Sequence, residues 1–469
     1  MFDFATLYTL TVFFLMVLFL YWRPHGINES IPPTIGALLI FFAGIVPLSD
    51  ISIILGFVSG ASITILSTIV MSIVLDSLGF FRWAAYNLVN RARGSGVLLY
   101  WNIILLCFLM TLFFNNDGSI LITTPIIIEI VTLLKLKNHQ QFPYLLSGAL
   151  IATASSAPIA VSNLANLIAL EIIGLDLNSY VSMMFVPSML GIMTISSLLF
   201  YYFREDIPKI INVFPAAEKD HFTNHHHRPD LHHNAHPLPH PPTPRHLLID
   251  RPFALPVQDI SMFKVSIAIV ALTRAGLFLG ASFGIPIEWT GIFGALVLIG
   301  YRWYRRGVGA RDIVEKTPWH IMLFAFSIYV VVYSLHNIGL TDWIVKLLRE
   351  PMLDSHLNAC LISGGLLTLM SNLFNNLPSV MVGTLTLTGM GLDMPTLHIA
   401  YLASILGADI GSLITPMGTL ASLIWMFLLK KNGIKISWAS CLKVTIVVIP
   451  IGLLVSLFSL YFWLEWLFF

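Results

Sequence analysis

Phe114-Asn115-Asn116-Asp117-Gly118-Ser119 lies in the middle of an otherwise apolar stretch at 97–134, and Phe374-Asn375-Asn376-Leu377-Pro378-Ser379 lies in the middle of another at 358–390. Gly and Pro break helices, while Asn and Ser bond to the backbone groups so freed, or to a ligand. Within a bilayer, irregular backbone is tolerated only where protein or a wet cavity encloses it. Each stretch therefore reads as a re-entrant helical hairpin with a polar tip, two full spans being the other reading.

The separation of the two tips, about 260 residues, recurs along the chain. Ile31-Pro32 with Gly36-Ala37-Leu38 returns as Ile285-Pro286 with Gly294-Ala295-Leu296, and Asp50-Ile51 returns as Asp312-Ile313. Gly79 and Trp83 return as Gly339 and Trp343, and Leu164-Ala165-Asn166-Leu167-Ile168 returns as Leu420-Ala421-Ser422-Leu423-Ile424. Such matches in order indicate an internal repeat. They divide the chain into a first transmembrane repeat at 1–210, a linker at 211–260 and a second repeat at 261–469. If the hairpins re-enter, each half crosses the membrane an odd number of times, so the second copy is inverted relative to the first. Secondary transporters are often built so, with substrate held near the midplane by discontinuous helices.

Composition agrees with a membrane setting. The 469 residues are 57% hydrophobic and 10% charged, with a mean hydropathy of +0.84, against about 25% charged in soluble domains. Apolar runs near 4–22, 32–48, 60–78, 144–172, 182–203, 262–281, 286–301, 320–338, 396–429 and 442–464 join the two interrupted stretches. The expected fold is an all-α polytopic membrane protein of about ten transmembrane helices plus two re-entrant hairpins, in two inverted repeats. The first run has no basic segment before it and no small-residue cleavage site after it, so it reads as a retained helix.

Basic residues sort to one side of this topology: Arg23; Arg82, Arg91 and Arg93; Lys135 and Lys137; Arg204 to Lys264; Arg302 to Lys316; and Lys430 to Lys443. The positive-inside rule makes that side cytoplasmic, with both termini outside and the plasma membrane as the location. A net charge of +1 gives no footing for a nucleic-acid partner. Cys107, Cys360 and Cys441 are dispersed and read as helix-packing residues. The stretch 215–256 holds nine histidines and nine prolines. It reads as a disordered cytoplasmic linker, in which His225, His226, His227, His232 and His233 form a weak candidate metal site.

Two further polar breaks fall at matching places in the halves. Thr153-Ala154-Ser155-Ser156-Ala157-Pro158 leads to Ser162-Asn163 and Asn166, and Asp409-Ile410-Gly411-Ser412 leads to Thr415-Pro416 and Gly418-Thr419. A single intramembrane Ser or Thr is commonly helix glue. Four polar breaks at symmetric places are not explained by packing, so Asn115, Asn116, Ser119, Ser155, Ser156, Asn163, Asn375, Asn376, Ser379, Ser412, Thr415 and Thr419 are candidate substrate ligands. Asp117 and Asp409 are the acids within the breaks, and ionisable groups at membrane depth mark functional sites. They are candidate carriers of a coupling proton, the other reading being acids that accept bonds from a helix N-terminus. Asp76, Glu129, Glu171, Arg274 and His336 read instead as snorkelling or helix-capping groups. No Arg or Lys lies in the four breaks to clamp a carboxylate or phosphate. No metal triad or nucleophile–base pair occurs in the spans, so a transporter without cofactor is expected and not an enzyme.

At these residues the sequence resembles the arsenical pump membrane proteins, arsenite efflux permeases of the ion transporter superfamily. The likeness rests on Leu75-Asp76-Ser77-Leu78-Gly79-Phe80-Phe81-Arg82-Trp83-Ala84, Asn116-Asp117-Gly118 with Thr124-Pro125, and Val161-Ser162-Asn163-Leu164. It continues through Phe203-Arg204-Glu205-Asp206-Ile207-Pro208, Asn375-Asn376-Leu377-Pro378, and Thr415-Pro416-Met417-Gly418-Thr419-Leu420-Ala421 with Trp425. The resemblance implies export of arsenite and antimonite, as neutral trihydroxides, in exchange for protons, in some members with a soluble ATPase subunit docked inside. The chain departs from the family pattern at Thr153, Ala408, Ser412 and Leu413, within the breaks themselves. A sodium-coupled carrier, either a sodium/proton antiporter or a dicarboxylate symporter, is the alternative reading, and a passive channel a third. The oligomeric state, a homodimer included, stays open.

Overall fold

A computed structural model describes residues 3–22, 27–211 and 260–469. The linker and its histidines His225, His226, His227, His232 and His233 lie outside the described residues. Those residues are helical throughout, without a strand. The first half holds α1 (Phe4–Trp22), α2 (Ile31–Phe42), α3 (Leu48–Leu78), α4 (Phe80–Arg91), α5 (Gly96–Phe113), α6 (Asn116–Leu133), α7 (Asn138–Ala154), α8 (Leu164–Ile173) and α9 (Leu177–Tyr202). The second half holds α10 (Ile260–Ser282), α11 (Ile287–Arg306), α12 (Arg311–Lys316), α13 (His320–Asn337), α14 (Leu340–Leu353), α15 (His356–Phe374), α16 (Asn376–Gly389), α17 (Met394–Asp409), α18 (Leu420–Lys431) and α19 (Trp438–Leu467).

The order of elements repeats, with α12 and α13 together taking the place of α3. The predicted runs 144–172 and 396–429 each form two helices separated at the polar break, α7 with α8 and α17 with α18. Gly79 (φ 83°) and Gly339 (φ 82°) occupy one repeat position, turning the chain from a long helix into a shorter one. Both are in the left-handed region, where a Cβ is strained.

The halves exchange partners when they pack. α2 lies on α13 while α11 lies on α3, α8 lies on α16 while α18 lies on α6, and the closing helices α9 and α19 lie along each other. Glycines permit the closest approaches, as expected where small residues replace a hydrophobic driving force between membrane helices. A Cβ at Gly191 would overlap Ser456 on α19, and one at Gly452 would overlap Ile195 on α9. Within the second half, a Cβ at Gly407 would overlap the Gly364 carbonyl, so α15 and α17 are in near backbone contact beside the second break.

Ten helical runs among the described residues are long and apolar enough to cross a membrane, and α5 and α6 are two of them. At 18 residues each they reach about 27 Å, so their length does not by itself require re-entry. At both tips the residue before the second arm is an asparagine that caps it. Asn115 Oδ1 accepts from Gly118 N at 2.8 Å, and Asn375, at φ 77°, accepts from Leu377 N at 3.4 Å. With ψ 153° this backbone lies outside the αL well, in a region otherwise nearly confined to glycine.

Gly407 on α17 and Gly365 on α15 give a direct test. Gly407→Ala is expected to lower the melting temperature of the purified protein, since overpacking costs about 1–3 kcal/mol. Gly365→Ala, whose Cβ meets open space, is expected to leave it unchanged or raise it, Ala being favoured over Gly in a helix by about 0.5–1 kcal/mol.

Candidate functional site

The breaks are built so that every turn is held from outside. In the first, α7 stops at Ala154, a 3-10 turn covers Ala160–Ser162, and Asn163 caps α8 by accepting from Ala165 N at 3.1 Å. In the second, α17 stops at Asp409, a 3-10 turn covers Gly411–Ile414, and Thr419 caps α18 by accepting from Ser422 N at 3.0 Å. Interrupting a helix frees carbonyls that must find donors. Tyr180 on α9 donates to Ala157 O at 2.7 Å, and Thr111 on α5 donates to Ala152 O at 2.6 Å. Thr445 on α19 donates to Ile414 O at 2.6 Å. Asn372 on α15 serves both sides of the second break, donating to Gly411 O at 2.9 Å and accepting from Thr415 N at 2.8 Å. The second tip is tied in through Asn376 N, which donates to Gly418 O at 2.9 Å.

The two breaks meet at one carboxylate. Asp409 is fully buried. Its Oδ1 accepts from Asn163 Nδ2 at 2.7 Å, and its Oδ2 accepts from Asn166 Nδ2 at 2.6 Å and Ser156 Oγ at 2.8 Å. All three donors belong to the first half. Ser156 Oγ is equally near the Thr153 carbonyl, at 2.8 Å, so its single proton serves two acceptors. The alternative reading of Asp409, an acid accepting from a helix N-terminus, is not met, because its partners are side chains.

Asp117 has a different setting. It lies in the first turn of α6, is partly accessible, and its carboxylate makes no hydrogen bond among the described residues. Asp409 and Glu29 both lie within electrostatic reach of it. Glu29 is paired with His320 Nε2 at 3.0 Å. At the place of Asp117 the second half has Leu377, and at the place of Asp409 the first half has Thr153, so the two acids are not equivalent in the repeat.

The predicted ligands separate into two groups. Asn115 and Asn116 accept from backbone N–H groups at the first tip. Ser155 donates to Ile151 O at 2.5 Å, Ser379 to Asn375 O at 2.7 Å and Thr419 to Ser422 Oγ at 2.9 Å. These atoms are spent on the frame. By contrast, of the predicted ligands Ser119 Oγ, Asn375 Nδ2, Ser412 Oγ and Thr415 Oγ1 are buried without a partner among the described residues, as are Ser162 Oγ and Asn166 Oδ1 of the first break, which are not among those candidates. Buried polar groups normally have partners, and unpaired ones call for an explanation. Six of the sixteen such atoms among the described residues lie in the breaks and tips; the others, such as Ser62, Ser188 and Ser266, lie along the helices.

Three features escaped the sequence reading. Asn166 is a partner of Asp409, although its place in the break was visible. Glu29 lies in a loop beside a span, where acids are ordinary. Arg274 caps a helix, as one of its two readings had it, but the helix is α5 of the other half. Its Nε donates to Phe113 O at 2.6 Å and its Nη2 donates to Phe114 O, leaving Nη1 without a partner among the described residues. Tyr21 on α1 does the like for the second tip, donating to Leu373 O at 3.3 Å. The cysteines are all buried, with Cys360 Sγ directed at Leu457 O in a helix contact at 3.4 Å. No group of three metal-ligating side chains occurs among the described residues.

Broken helices enclosing a polar, acid-bearing centre within an apolar helical body describe a multi-pass membrane transporter. The profile of the citrate transporter family matches residues 16–407. A Bacillus subtilis (strain 168) protein named "Putative arsenical pump membrane protein" is 47% identical over 457 residues, 97% of this chain and 99% of its own length. The "Arsenical pump membrane protein" of Escherichia coli is 29% identical over 450 residues, 96% of this chain and 97% of its own, and that of Yersinia enterocolitica is 28% identical over 451 residues, 96% and 97%. The chain belongs to the citrate transporter family and, within it, to the arsenical pump membrane proteins.

The Asp409 joint makes a prediction about stability. Asp409→Leu leaves the Asn163 and Asn166 amides unpaired, each at a cost of about 1–3 kcal/mol, and is expected to lower the melting temperature markedly. Asp409→Asn is expected to lower it far less, because Asn166 can turn its unpartnered Oδ1 toward the new amide and Ser156 Oγ can accept from it. Thermal melts of both purified variants check the ranking; equal losses would contradict it.

Proposed function

We propose that the protein exports arsenite and antimonite, as neutral trihydroxides, in exchange for protons, through two inverted repeats whose hairpins re-enter the membrane. The observation that carries this reading is the set of unpartnered Ser, Thr and Asn atoms at the breaks and tips, with no Lys or Arg within the breaks themselves to pair with a charged substrate. A neutral trihydroxide brings three O–H donors and three acceptor oxygens and avoids the cost of burying a charge. The names of the relatives, arsenical pump membrane proteins, support an arsenical as substrate. Two of the three guanidinium nitrogens of Arg274 are already bonded to carbonyls, which disfavours a bidentate clamp for an organic anion.

In this mechanism Ser119, Asn375, Ser412 and Thr415 hold the solute, while Asp117 and Asp409 handle the proton. Ser156 lets Asp409 exist in both forms. It donates to the carboxylate, and on protonation of Asp409 it accepts that proton's bond while giving its own to Thr153 O. Neither state then leaves the Asp409 carboxyl or the Ser156 hydroxyl unpaired. Asp117, partly accessible, exchanges its proton with the aqueous side, and its protonation relieves the repulsion among Asp117, Asp409 and Glu29. A proton gradient suffices to drive the cycle, and a soluble ATPase subunit, where present, would add to it from the cytoplasmic face. The same three carboxylates favour a second reading, a sodium-coupled carrier, which sodium dependence separates from the first.

Expression in a host lacking arsenite efflux is expected to lower cellular arsenite and antimonite, without dependence on sodium. In everted vesicles, Asp117→Asn and Asp409→Asn are each expected to abolish pH-gradient-driven arsenite uptake. Unchanged arsenite accumulation in cells carrying the wild-type chain, or full gradient-driven uptake in both variants, would sink the reading.

A further inference from the structure

We propose that Arg274 is a positioning residue for transport: from α10 it holds the first hairpin tip, and with it Asn115 to Ser119, in register with the Asp409 joint. Arg274 is buried in a 23-residue apolar helix, a placement costly enough to mark function. Its side chain makes no ion pair with an acid among the described residues. Instead it donates to the Phe113 and Phe114 carbonyls, where α5 ends and the tip begins. Those carbonyls carry the negative end of the helix dipole, and bonds to them from a guanidinium are charge-assisted.

The comparison with the second tip explains why an arginine is used. Tyr21 gives Leu373 O one neutral hydrogen bond, supported by ring contacts of Phe13 and Phe14 with Phe374 at 5.5 and 5.9 Å. That tip carries Leu377. The tip held by Arg274 carries Asp117, which Asp409 and Glu29 push electrostatically. An anionic tip under repulsion needs a firmer hold than a neutral one, and two N–H groups in a fixed fork supply it. Lysine, a point charge on a flexible stem, lacks the fixed fork that holds both carbonyls in one geometry. Among the described residues Arg274 makes no hydrogen bond or ion pair with Asp117 or the unpartnered site atoms, and its bonds go to the backbone of the tip.

This inference rests on the transport reading above, and its test has an arm that does not. Hydrogen exchange measured by mass spectrometry on purified protein is expected to show faster exchange at 114–119 in Arg274→Lys than in wild type, whatever the substrate. In vesicles, Arg274→Lys is expected to raise the KM for arsenite about tenfold, the worth of one charged hydrogen bond, and to shift the pH profile of transport. A merely structural arginine would lower the amount of inserted protein and leave both unchanged in what remains. Wild-type exchange at the tip, or wild-type KM and pH profile in Arg274→Lys or Arg274→Gln, would overturn the proposal. So would absence of both variants from the membrane, which would assign Arg274 to folding. Failure of the wild-type chain to move arsenite would instead count against the transport reading, with the exchange arm still deciding for Arg274.

Discussion

The structure depends on a carboxylate that ends one helix and is held by the turn between two others. Asp409 has no cationic partner in its shell; it is stabilised by two amides and a hydroxyl from the opposite half. Burying an acid without a counter-ion is costly unless its oxygens are fully bonded. The need to satisfy Asp409 therefore fixes where the first break must stand relative to the second. α8 and α17 are brought together by it, and Tyr401 of α17 donates to the Asn166 carbonyl at 3.4 Å. Tyr180, which holds the first break, lies 6.3 Å from the Tyr401 ring, centroid to centroid.

Around that joint freed backbone carbonyls are taken up by side chains of neighbouring helices. Thr111, Tyr180, Asn372 and Thr445 come from four different helices. A break so braced is as rigid as the helices that brace it. Side-chain atoms left without a partner at the breaks, such as Ser412 Oγ and Thr415 Oγ1, can turn without moving the backbone.

Much of this was legible in the sequence. The Asn-Asn pairs and the Gly- and Pro-bearing breaks announce themselves because polar, helix-breaking residues are rare inside apolar runs, and the repeat follows from their spacing. Asp117 and Asp409 stand out as acids for the same reason. What could not be read was pairing across the halves. Nothing in the spacing says that Ser156, Asn163 and Asn166 turn to Asp409, since such residues cap, glue or ligate with equal ease. Arg274 was harder still: its partners are main-chain carbonyls, which every residue has, so no sequence signal marks them. The division of the predicted ligands into frame atoms and unpaired atoms likewise depends on rotamers and not on residue type.

Asp117 and Asp409 stand at unlike places of the repeat, opposite Leu377 and Thr153. In a carrier whose halves were identical and inverted, the two end states would be mirror images of equal energy, and the empty molecule would spend half its time in each. Under the proposed inverted-repeat cycle, an acid on the tip of the first half and another in the break of the second would be among the differences that weight the two end states unequally.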